Sequence, residues 1–87
     1  MFKPFAHGED YRRNKRKMLT WIDVGDSSRI IAMAYDATNE TIYVRFPNGV
    51  EWFYAQCPSN VWSEFTVSSK GNFIHNVLNN HPNGRHG

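Results

Sequence analysis

Thr41-Ile42-Tyr43-Val44-Arg45-Phe46, then Pro47-Asn48-Gly49, then Val50-Glu51-Trp52-Phe53-Tyr54 is the stretch that decides the fold. Ile42, Val44 and Phe46 alternate with Thr41, Tyr43 and Arg45, the period of two of a strand with one buried face. Asn-Gly tolerates the two positive φ angles of a type I′ turn, so Asn48-Gly49 predicts a hairpin. On its second arm Val50, Trp52 and Tyr54 share one face, while Glu51, Phe53 and Ala55 share the other. Upstream, residues 30–35 are apolar at consecutive positions, as in a strand covered on both sides. The polar run Asp36-Ala37-Thr38-Asn39-Glu40 connects that strand to the hairpin. The expectation is a three-stranded antiparallel meander.

Downstream the period changes. Pro58 suits a helix start, because its missing N–H would have had no intrahelical partner, and Val61, Trp62 and Phe65 give the first helix an apolar stripe. Ser68 or Ser69 is placed to cap a second helix, whose apolar face is Phe73, Ile74, Val77 and Leu78. Asn79-Asn80 and Pro82 end it. The fold class is therefore α+β, with two short helices covering the sheet face of Ile42, Val44, Trp52 and Tyr54. Met33 or Tyr35, together with Tyr43, Arg45 and Phe53, is left for the opposite face. Trp62 and Phe73 lead the two helix faces and are expected to be buried.

These residues resemble the KTSC domain, a family named after the C-terminus of some lysyl-tRNA synthetases and also found alone in small bacterial and phage proteins. The marks are an aromatic-x-aromatic pair, here Trp52 and Tyr54 where the family usually has two tyrosines, and Ser69-Lys70-Gly71. Cys57-Pro58 departs from the Val-Pro that the family tends to carry. The resemblance implies the same meander and two helices and, through the synthetase connection, RNA as a ligand.

An 87-residue chain has room for one domain with a small core. Six Phe, four Tyr and three Trp enlarge it, since each ring buries about 150–250 Å². Cys57 is alone, so no disulfide framework or cysteine-rich zinc site forms, which fits a reducing interior. No apolar run approaches the roughly 20 residues of a membrane-spanning helix, and no apolar signal region opens the chain. A soluble, cytoplasmic protein is expected.

The net charge of +2 is unevenly spread. Lys3, Arg12, Arg13, Lys15, Arg16 and Lys17 face only Glu9 and Asp10 in the first 20 residues, leaving the remainder acidic. Residues 1–20 read as a basic arm containing a short, marginal helix, residues 21–79 as the domain and residues 80–87 as a flexible tail.

Candidate chemistry is sparse. Cys57 and His75 are the nucleophile and base available, but a thiol needs a positioned base and electropositive surroundings to act. His75, His81 and His86 lack the i, i+4 spacing of a helical metal site, and the carboxylates are scattered. No cofactor, metal or catalytic residue is expected. Aromatic rings interleaved with cations are instead the ingredients of single-strand recognition. Tyr43, Arg45 and Phe53 on a sheet face, Lys70 at a helix start, and Arg12, Arg13, Lys15, Arg16 and Lys17 in the arm form the candidate nucleic-acid site. The expected partner is nucleic acid, RNA more than DNA. The alternative is a small phage or mobile-element protein that binds and modulates a host protein.

Overall fold

The computed structural model describes residues 19–86. The arm residues Arg12, Arg13, Lys15, Arg16 and Lys17, and the short helix expected around them, lie outside the described residues. Five strands form one antiparallel sheet in chain order: β1 Ile22–Asp23, β2 Ala32–Asp36, β3 Thr41–Arg45, β4 Glu51–Tyr54 and β5 Asn83–His86. Between β4 and β5 the chain makes helices α1 Ser59–Val67 and α2 Lys70–Asn76 and the 3-10 turn Leu78–Asn80. The α+β class and the central meander are as expected, with two edge strands added.

Those edge strands correct the three-stranded expectation. β1 pairs through two residues, Ile22 with Met33 and Asp23 with Ala32, too short a run to show periodicity. β5 replaces the expected loose tail. Its sequence Asn-Gly-Arg-His has no apolar alternation, and it is held by backbone pairing to β4, by Ala55 N–H donating to the Pro82 carbonyl at 2.7 Å, and by Trp52 Nε1 donating to Asn83 Oδ1 at 3.0 Å.

The hairpin pairs β3 with β4 as expected, but through a different turn. Phe46 N–H donates to Val50 O, Gly49 N–H donates to Phe46 O, and the loop is therefore the three residues 47–49. Gly49 has φ +90° while Asn48 has negative φ, so this is a type I turn closed by a glycine bulge rather than a two-residue I′ turn. Pro47 explains the choice, because its ring fixes φ near −65° at the first central position. Asn48 Oδ1 then accepts from Val50 N–H at 3.1 Å.

Register assigns the faces. Ile42 opposes Tyr54 and Val44 opposes Trp52, while Met33 opposes Val44 and Tyr35 opposes Ile42. All six side chains lie on the helix side. Met33 and Tyr35 are thus corrected from the opposite face, their parity having been unreadable in an all-apolar run. Ile30, Ile42, Val44, Tyr54, Cys57, Phe65, Ile74 and Leu78 are fully buried between sheet and helices. Phe73 is buried as expected. Trp62 is half-buried and stacks flat on Tyr35, with centroids 5.2 Å apart, and the Tyr35 hydroxyl donates to the Cys57 carbonyl at 2.7 Å. Ser69 stands at the N-cap of α2, but its side chain accepts no capping bond.

Candidate nucleic-acid interface

The face turned away from the helices is built in cross-strand rows. Alternation sends Tyr43 and Arg45 of β3 to it, with Glu51 and Phe53 of β4. Pairing aligns Tyr43, Phe53 and Gly84 in one row and Arg45, Glu51 and His86 in the next. Gly84 sits where it leaves room for the Phe53 ring, since a Cβ there would stand 3.0 Å from Phe53 Cε2. His86 meets the Tyr43 ring at a centroid distance of 4.6 Å, and its Nε2 lies 3.9 Å from Glu51 Oε1.

Arg45 is held from both sides. Its Nε and Nη2 both lie 2.9 Å from Glu51 Oε2, and its guanidinium carbon lies 4.3 Å from the centre of the Trp21 ring. On the intervening strand β2 this face carries Ala32 and Ala34, both fully buried, and Asp36 at the strand end. Small side chains there let an indole from the β1 edge reach Arg45. Tyr43, Arg45, Glu51, Phe53 and His86 are all partly exposed.

The structure thus brings together three of the expected site residues, Tyr43, Arg45 and Phe53, and places Lys70 elsewhere. Lys70 Nζ donates to the carbonyls of Thr66 and Ser68 at 3.1 and 2.8 Å and lies over the Phe65 ring, closing the C-terminal end of α1 on the helix side. It also lines a polar pocket of about 360 Å³ with Ser27, Arg29, Ser69 and Asn72. Sequence reasoning missed Trp21, Glu51 and His86 as members of the sheet face. Trp21 reads simply as an apolar anchor, and His86 belongs to a segment without strand periodicity.

Cys57 is not an activated nucleophile. Its thiol is buried, faces the Tyr54 and Ala55 carbonyls at 3.5 and 3.4 Å, and burial pushes its pKa up to about 11. A reactive thiol requires the opposite shift. The ring beside it is His81, whose Nδ1 is 3.7 Å away, while His75 is exposed on α2. Among the described residues no three His, Cys, Asp or Glu side chains gather around a common metal position, and no helix is long and apolar enough to cross a membrane.

With the fold and this face described, the comparison with known families gives one match: the KTSC domain family model covers residues 26–81. The chain belongs to the KTSC domain family. It is similar to the crystal structure of a KTSC domain protein from Yersinia pestis, with a TM-score of 0.71 and 26% identity over 79% of this chain and 99% of that one. No functionally curated protein matches the chain. Tyr43, Arg45, Glu51 and Phe53 fall inside the family match, whereas Trp21 and the β5 residues fall outside it.

Proposed function

We propose that this KTSC domain is a non-enzymatic nucleic-acid-binding module that takes single-stranded RNA ahead of DNA. The observation that supports it is the sheet face turned away from the described helices, where the Tyr43 and Phe53 rings stand beside the Arg45 guanidinium. Rings on a sheet are stacking platforms for unpaired bases, and a guanidinium plane stacks as they do. Because Glu51 neutralises Arg45, that side chain serves as a stacking plane more than as a phosphate contact. The preference for RNA rests on the family's association with lysyl-tRNA synthetases.

The phosphate contacts come from the arm. Residues 19–86 hold Arg29, Arg45, Lys70 and Arg85 against Asp23, Asp26, Asp36, Glu40, Glu51 and Glu64, so the folded body is net acidic. Arg12, Arg13, Lys15, Arg16 and Lys17 supply the opposite charge. With four to five phosphate contacts, log affinity should fall with log salt at a slope of about −3 on single strands. Anisotropy titration of a labelled single-stranded RNA tests this. Reversing the five arm charges should flatten the slope, and Tyr43→Ala with Phe53→Ala should remove about 1–3 kcal/mol per stacked base. Absence of binding below about 100 µM at low salt would refute the reading, since even non-specific binders reach about 10⁻⁴ to 10⁻⁶ M. It would turn attention to a host protein of the kind that small phage proteins bind.

A further inference from the structure

Resting on the nucleic-acid reading, we propose that Trp21 occupies a nucleobase subsite on the sheet face and is displaced when a single-stranded oligonucleotide binds. The indole lies against a guanidinium plane 4.3 Å from its centre, the arrangement an unpaired base adopts on arginine. Arg45 is held in that pose by Glu51 as well, through Nε and Nη2 contacts of 2.9 Å that do not involve the indole. The stacking plane is therefore preorganised.

The floor fits the same role. Ala32 and Ala34 leave this part of the face flat, and Tyr43 stands on the next strand opposite Ala34. A base entering here would meet the Arg45 plane, with the Tyr43 ring nearby. Trp21 is weakly tethered on one side. It immediately precedes β1, which pairs with the sheet through just two residues at its edge. Releasing those pairs frees the indole without opening the core between sheet and helices.

A ligand that must displace an internal occupant binds more weakly by the fraction of time the site is open. Removing the occupant should strengthen binding by about two- to five-fold, the factor corresponding to one exposed cation–π contact. Trp21→Ala empties the subsite. Trp21→Leu keeps an apolar side chain before β1 without a π face, so it guards against loss of folding in the first variant.

The full-length chain and both variants would be titrated with a labelled single-stranded uridine 12-mer, and the Trp21 indole N–H followed by NMR in the wild type. Tighter binding by the variants, with an indole signal that moves towards that of a solvent-exposed indole on saturation, is the expected result. Equal or weaker binding by both variants, or an indole signal that stays put while the oligonucleotide binds, overturns the displacement and leaves the nucleic-acid reading standing. No binding by any of the three proteins overturns both.

Discussion

Cys57 shows how one side chain couples the core to solution conditions. Its thiol pKa rises from an ordinary 9.0 to about 11 because burial disfavours the thiolate. Between those values the unfolded chain gives up its proton while the folded one keeps it. Stability is therefore full below about pH 9 and lost as pH rises towards 11, by roughly 2–3 kcal/mol. Burial also raises the pKa of Tyr54, which adds to the loss above pH 10. Urea unfolding at pH 8, 9.5 and 11 checks the slope, and iodoacetamide at pH 8 should label Cys57 only after unfolding. Gly49 is the backbone counterpart. At φ +90° a Cβ strains the turn even though nothing stands within 4 Å, so Gly49→Ala should cost about 1–2 kcal/mol in the same assay.

Among the elements, α1 carries the packing that ties helices to sheet. Phe65 is fully buried and contacts the Trp62 and Phe73 rings, with centroids at 6.2 and 5.5 Å. Phe65→Ala should cost about 3–5 kcal/mol. Trp62, half-buried on Tyr35, should cost less, about 2 kcal/mol, because part of its ring already meets water. Thermal unfolding of the two variants ranks them, and the reverse order would refute the assignment of Phe65 as the central ring. The hairpin and both helices were legible because each places apolar residues at its own period. β1 and β5 were not. Two residues carry no period, and Asn83-Gly84-Arg85-His86 joins the sheet through backbone bonds and the space Gly84 leaves for Phe53. The site was readable to the same extent. Tyr43, Arg45 and Phe53 follow from alternation, whereas Trp21 and His86 reach the face through those two unread edges. Lys70 stands at a helix start as read, but a cation there carries no sign in the sequence of the carbonyls it will turn back to.

At the scale of the molecule, labour is divided between two faces and an arm. The helix-covered face holds the core, the opposite face carries Trp21, Tyr43, Arg45, Phe53 and His86, and under the proposed function the acidic body leaves phosphate attraction to the basic segment. If the faces are independent, Tyr43→Ala with Phe53→Ala should weaken RNA binding while changing the thermal midpoint far less than Phe65→Ala does. The most direct test is amide and side-chain NMR of the labelled protein during titration with a single-stranded RNA 12-mer. Within the folded domain, the largest shifts should fall on Trp21, Tyr43, Arg45, Phe53 and His86, with Phe65, Ile74 and Leu78 nearly unmoved. Shifts centred on the helices, or none at RNA concentrations above about 100 µM at low salt, would contradict this expectation.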